Sequence, residues 1–174
     1  MKTINQNSEI RIYVACLASY NNAILYGIWI DANQDEDEIR DAISEMLARS
    51  SIPNAEEYAI HDYEGFEGVS IAEYQGIKSV SEIAEFIEEH GTLGAKLLDY
   101  YSEIEEARQA LKERYFGQYS SVSDFCEESI INQCEIPKEL EYYIDYKRMA
   151  RDWELTDLLT IETAFEEIHI FSNA

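Results

Sequence analysis

Near the start of the chain, Ile10, Ile12, Val14 and Cys16 alternate with Arg11, Tyr13 and Ala15. That period of two predicts a strand. Ser19 to Ala23 (SYNNA) has turn composition, and Ile24 to Ile30 (ILYGIWI) reads as a second strand. The two predict a hairpin, with Gly27 marking a bulge. The period then changes. From about Asp35 to Arg49, Ile39, Ala42, Ile43, Met46 and Leu47 fall on one helical stripe. Glu57 to Tyr63 (EYAIHDY) returns to strand composition. The first stretch therefore predicts ββαβ, with one helix covering one face of a small antiparallel sheet.

Gly65, Gly68 and Gly76 loosen the next stretch and predict a boundary. Ser79 with Glu82 matches a capping box opening a helix through Ile83, Phe86 and Ile87, and Gly91 is its natural stop. Leu93 to Tyr101 and Ser102 to Tyr115 read as two more helical stretches. Gly117 to Ser121 breaks the pattern, and a helix from about Val122 to Asn132 comes after it. The last periodic segment is a strand around Ala164 to Phe171 (AFEEIHIF).

Between them lies the most strongly patterned stretch, Ile136 to Leu155 (IPKELEYYIDYKRMARDWEL). Pro137 suits a first helical position, where its missing N–H costs nothing. Glu139 and Glu141 fall in the first turn and Arg151 near the end, as the helix dipole favours. Tyr142, Tyr146, Met149, Ala150 and Trp153 recur at helical spacing as one apolar face. Lys138, Lys147, Arg148 and Arg151 are all the basic residues in the last third of the chain. The spacing predicts one long helix against which an acidic C-terminal unit packs.

Composition changes this picture through charge. The 174 residues are 46% hydrophobic and 12% aromatic with 2 Pro and 7 Gly, a globular composition. Yet 36 Asp and Glu stand against 13 Lys and Arg, a formal net charge of −23. A field of that sign repels phosphate and excludes nucleic acid and anionic membranes as partners. No basic stripe of the kind a nucleic-acid binder needs is visible. Met1-Lys2 and the polar residues after it lack the apolar region of an export signal, and no apolar run approaches the ~20 residues of a membrane span. Cys16, Cys126 and Cys134 form no CxxC pair, so reduced thiols in a cytoplasmic protein are expected.

Where the acids fall matters more than their number. Glu56, Glu57, Asp62, Glu64, Glu67 and Glu73 lie between Arg49 and Lys78 with no basic residue among them; Glu82, Glu85, Glu88 and Glu89 lie likewise between Lys78 and Lys96. Asp37–Asp41, Asp41–Glu45, Glu85–Glu89, Asp99–Glu103 and Asp124–Glu128 are spaced i,i+4 on predicted helices. Each such pair costs roughly 0.2–0.5 kcal/mol, so five cost about 1–2.5 kcal/mol of the ~5–15 that hold a domain together. Solvation of the surface is one account of this excess. The other is imitation of a nucleic-acid backbone: at two charges per base pair, a net charge of 23 matches about 11–12 base pairs of duplex.

Conventional site chemistry finds little support. Asp31, Asn33, Asp35 and Asp37 fit the first positions of a calcium loop, but Glu36 stands where Gly is needed and Ala42 where the bidentate Glu belongs. An acidic helix start is the better account. His61 and Asp62 are adjacent in a strand and point to opposite faces. The histidines and cysteines have no metal-ligand spacing, and no GxSxG, Walker A or GxGxxG sequence occurs. No cofactor, metal or catalytic residue is expected.

Three segments resemble the ArdA antirestriction family: Glu57 to Glu64 (EYAIHDYE), Glu113 to Tyr119 (ERYFGQY) and, most specifically, Ile136 to Leu155 around YIDY and MARDWEL. The resemblance runs from about Ile10 to Phe171. It implies an elongated α+β protein of three small domains in tandem (1–66, 67–118 and 119–174). It further implies a homodimer formed through the C-terminal domain, no cofactor, and carriage on mobile genetic elements. Such proteins mimic duplex DNA and occupy the DNA-binding groove of type I restriction–modification enzymes, blocking cleavage and possibly methylation. Met1 to Glu9 and Leu158 to Thr163 carry no family signature.

The expected mimic surface comprises Asp35, Asp37, Asp41, Glu45, Glu56, Glu57, Glu64, Glu82, Glu85, Glu88, Glu89, Asp99, Glu103, Glu106, Asp124, Glu127 and Glu128. The C-terminal signature comprises Tyr143, Asp145, Tyr146, Met149, Ala150, Arg151, Asp152, Glu154 and Leu155, with Asp157 beside it. Two rival readings remain. One is a structural or adaptor protein that is merely acidic; the other is an acidic hydrolase with a few buried carboxylates in a concave pocket.

Overall fold

The computed structural model describes residues 9–173, so the polar leader Met1 to Ser8 lies outside the described residues. The protein is α+β, and the chain forms two units, Met1–Ala95 and Lys96–Ala174.

In the first unit, β1 (Arg11–Cys16) pairs antiparallel with β2 (Gly27–Asp31) and with β3 (Tyr58–Glu64), in the order β2-β1-β3. The alternation along β1 buries Ile12 and Val14 completely, and with Ile30 and Ile60 they make the inner face of the sheet. The helix α2 (Glu36–Ala48) turns Ile39, Ile43 and Met46 to that core, with Asp35 at its N-cap and Glu36, Asp37 and Glu38 in its first turn. This is the ββαβ order expected, with one addition. The segment SYNNA is not a simple turn, because α1 (Leu17–Asn21) winds through it and buries Ser19.

Gly27 marks close approach and not a bulge. It stays in register with Ala15, and a Cβ there would strike the Val14 carbonyl oxygen and come 2.9 Å from Ala15 Cα. The register irregularity lies instead between Tyr13 and Val14, on the side facing β3.

Helix α3 (Ile77–Tyr101) begins two residues before the expected Ser79 cap. The Ser79 hydroxyl accepts a hydrogen bond from the Gln75 side chain at 3.1 Å, and the Val80 N–H bonds the Gly76 carbonyl, so the helix starts on Gly76. Gly91, at φ 57° and ψ −142°, breaks the helical path where a stop was expected.

In the second unit, α4 (Ile104–Glu113) starts later and ends sooner than the 102–115 expected. Ser102 takes φ 62°, which separates α3 from α4, and Tyr115 already belongs to a strand. That strand, β4 (Tyr115–Tyr119), and β5 (Leu158–Ala164) were both missed by the periodicity. They flank β6 (Glu167–Ser172) in a sheet of order β4-β6-β5. The single strand expected over 164–171 is therefore a hairpin corner leading into β6, with Glu166 at φ 57° in the turn.

The largest correction concerns the long helix. It is two: α6 (Lys138–Glu141) and α7 (Tyr146–Thr156). Asp145 is the cause, because its carboxylate accepts the Arg148 N–H at 3.0 Å and so starts a new helix. Tyr142 and Tyr143 are left in the break, 93% and 81% exposed, so Tyr142 is no part of the apolar face. The rest of that face holds. Tyr146, Met149, Ala150 and Trp153 pack with Val122, Phe125 and Cys126 of α5 (Val122–Gln133) and with Leu158 and Ile170 of the sheet.

A candidate interaction surface

Carboxylates avoid burial unless paired, because removing the charge from water costs far more than packing returns. The fold obeys that rule throughout. All 36 acidic residues lie within the described part of the chain; none is buried, and only Glu36 and Glu82 are half-buried. The hydrolase reading required buried carboxylates, so it loses its premise.

The structure distributes the expected surface residues over both units. In the first, Asp35 caps α2, and Asp37, Asp41 and Glu45 come next on its exposed side. Glu56 and Glu57 precede β3 and Glu64 ends it. Glu82, Glu85, Glu88 and Glu89 lie on α3 before its break. In the second, Asp99 is near the end of α3, Glu103 caps α4, Glu106 is in its first turn, and Asp124, Glu127 and Glu128 lie on α5. Of the five like-charge pairs, Asp99–Glu103 is not within one helix, since Ser102 intervenes with a left-handed backbone.

The acids are not all unopposed. Glu64 holds Arg11 at 2.8 Å, Glu36 holds Arg40 at 2.6 Å, Glu45 holds Arg49, and Glu82 lies 3.6 Å from Lys78. Exposed pairs of this kind contribute little to stability. The would-be calcium loop is an ordinary turn in which the Asp31 carboxylate accepts the Asn33 N–H at 2.9 Å. Among the described residues no three His, Cys, Asp or Glu side chains come together as a metal site.

The signature residues divide by role. Tyr146, Met149 and Ala150 face the core, and Asp145 is the helix cap. Arg151, Asp152, Glu154 and Leu155 are exposed along α7, as is Tyr143 before it, and Asp157 is the C-cap. Lys147 and Arg148 share the exposed side, and among the described residues no ion pair engages the side chains of Lys147, Arg148 or Arg151.

The histidine most removed from water is His169, on β6. Its Nδ1 lies 2.7 Å from the Tyr115 hydroxyl on β4 and its Nε2 3.2 Å from the Thr163 hydroxyl on β5, so one ring ties three strands together. Burial holds its pKa below the ordinary imidazole value, against a smaller opposing pull from Glu167. Burial likewise pushes the Cys126 thiol up, helped by Glu154. Both are structural positions.

One surface escaped the sequence reading. On the open side of the first sheet, Tyr13 lies directly opposite Trp29, ring centroids 5.5 Å apart, and the Arg11 guanidinium sits 4.9 Å over the Trp29 ring. The signal was present only as alternation, since the residues between the buried positions of β1 are Arg11 and Tyr13. No helix among the described residues is long and apolar enough to cross a membrane. The family model described as antirestriction protein (ArdA) matches residues 12–167. No curated protein matches the chain.

Proposed function

The chain belongs to the ArdA antirestriction family, and from that membership we propose that it inhibits type I restriction–modification enzymes by standing in for duplex DNA in their DNA-binding groove. The family's members inhibit restriction enzymes and are not themselves enzymes. The observation that carries the mimicry is the outward placement of the carboxylates, none of them buried, over every part of the described chain. A groove lined with basic side chains meets such a surface with the counterion release and steering that it gives DNA. Under this reading methylation by the same enzyme falls along with cleavage. The protein acts in the cytoplasm as a homodimer joined through the C-terminal domain of a three-domain chain, without cofactor, nucleic acid or membrane. The carboxylates of the expected surface are its contact groups. Arg151, Asp152, Glu154 and Leu155 serve at the exposed side of the signature helix, and Asp145 serves by starting that helix.

The test is cleavage and methylation of a cognate site by a purified type I enzyme while the protein is added at low salt. Both rates fall as protein is added; unchanged rates at large molar excess contradict the reading. Replacing Asp37, Asp41 and Glu45 by Asn or Gln separates mimicry from a merely acidic adaptor. Mimicry predicts weaker inhibition with equal or better folding stability, whereas an adaptor surface predicts no change in inhibition.

A further inference from the structure

The outer face of the first sheet is built in rows. Antiparallel register sets Asp31, Arg11 and Glu64 side by side, and then Trp29, Tyr13 and Asp62. Side chains paired this way share one face of the sheet. In the first row the guanidinium of Arg11 is held three ways, one of them by Glu9 at 3.7 Å. It lies 4.9 Å above the Trp29 ring, and its Nε–H donates to Glu64 at 2.8 Å. The second row repeats the ingredients: Tyr13 has an aromatic neighbour on one strand and a carboxylate, Asp62, on the other. It holds no cation. Among the described residues no Lys or Arg forms an ion pair with Asp31 or Asp62. Gly27 completes the geometry, because a Cβ there would lie 2.9 Å from Tyr13 Cζ. The missing side chain leaves room for the ring to lean across the sheet. Trp29 stays 40% exposed and Asp62 is exposed.

We propose that this open sheet face, Tyr13 and Trp29 flanked by Asp31 and Asp62, receives an arginine side chain from the DNA-contacting surface of the inhibited enzyme. The inference rests on the reading under Proposed function and names the chemistry of one contact within it. Charge complementarity selects a cation, and the rings select arginine over lysine, since a planar, weakly hydrated guanidinium stacks on an aromatic face while its N–H groups reach a carboxylate. Arg11 displays that arrangement within the same sheet. The contact differs in kind from phosphate imitation: a row of phosphates offers charge alone, whereas this face adds stacking, which salt does not screen as it screens exposed charge.

Trp153→Phe leaves Trp29 as the one tryptophan, and its emission reports on hexa-arginine and hexa-lysine added in turn. The expected result is a change in emission with hexa-arginine and binding several-fold tighter than hexa-lysine. By calorimetry, Trp29→Leu brings the two peptides to equal affinity and Trp29→Phe restores part of the difference. Equal affinities in the wild type, unmoved by Trp29→Leu, overturn the proposal and reduce the binding to general attraction between a polycation and an acidic protein. Against a type I enzyme, Trp29→Leu weakens inhibition several-fold at every salt concentration without altering the salt slope. Wild-type inhibition by Trp29→Leu, alongside weakened inhibition by the Asp37, Asp41 and Glu45 variant, overturns the sheet-face contact and leaves mimicry standing. A wild type that does not inhibit overturns the mimicry and, with it, the identity of the partner.

Discussion

The two units carry the same number of acids and use their basic residues differently. Met1–Ala95 has 18 acidic and five basic residues, a formal charge of −13; Lys96–Ala174 has 18 and eight, a formal charge of −10. In the first unit each described basic side chain is engaged by a carboxylate: Arg11, Arg40, Arg49 and Lys78. In the second, the Lys96 amine donates to the Glu162 carbonyl at 2.7 Å and Arg114 lies 5.2 Å over the Tyr101 ring. On α7, Lys147, Arg148 and Arg151 stand outward with no ion pair among the described residues. Local spacing explains part of the contrast. Arg40, Arg49 and Lys78 each sit four residues from a glutamate with which they pair, and Lys147 has Arg151 at that position, but Arg148 has Asp152 there and forms no ion pair with it. A strongly acidic total thus conceals a region whose outward charge is mixed.

Substitutions probe this contrast at several strengths. The sheets themselves should be most sensitive. Phe171→Ala removes a fully buried ring packed 4.8 Å from Tyr115 and lowers the stability of the second unit by about 3–5 kcal/mol. Ile12→Ala in the first lowers it by about 2–5 kcal/mol, and urea unfolding checks both. Next comes the cap that divides the signature segment. Asp145→Ala lowers stability by roughly 0.5–2 kcal/mol, whereas Asp145→Asn, which keeps the acceptor, stays close to wild type. Equal losses in both variants would show that the charge and not the cap is what matters.

A smaller effect arises from His169. Its folded pKa is depressed, so the unfolded chain takes up a proton first as pH falls below the ordinary value of 6.5. Stability from this group is therefore complete above that value and is lost as pH drops from there toward the folded pKa. Between about pH 7.5 and 5.5 the unfolding midpoint falls, and His169→Gln flattens the fall. Smallest of all, Arg151→Gln leaves stability unchanged within error, while Arg40→Gln lowers it slightly by removing the pair with Glu36. A larger loss from Arg151→Gln would reveal a partner for that side chain and erase the contrast between the units.

How much of this the sequence disclosed depended on how local the cause was. β1 and α2 were legible because the alternation of one and the stripe of the other are strict, and β3 from its composition, whereas β2 starts at Gly27 and not at the expected Ile24. β4 (YFGQY) was not, since it is short, holds a glycine at φ 125° and buries no residue fully. β5 and β6 owe their existence to each other, and pairing across a turn leaves only a weak mark on either segment. The break at Asp145 was visible in principle, because aspartate is a strong cap, but the spacing of Tyr142 and Tyr146 concealed it. Exposure of the acids was legible from chemistry alone. The Arg11–Trp29–Tyr13 face was not, since it joins residues 16 apart through a register that only the folded sheet reveals.

Mimicry requires that the carboxylates compete with DNA for one groove. The most direct measurement is the inhibition constant against a purified type I enzyme, taken across salt concentrations and across concentrations of cognate duplex. Inhibition should weaken linearly in log–log form as salt rises, and added duplex should relieve it competitively. Inhibition that is indifferent to salt and to duplex concentration would contradict mimicry.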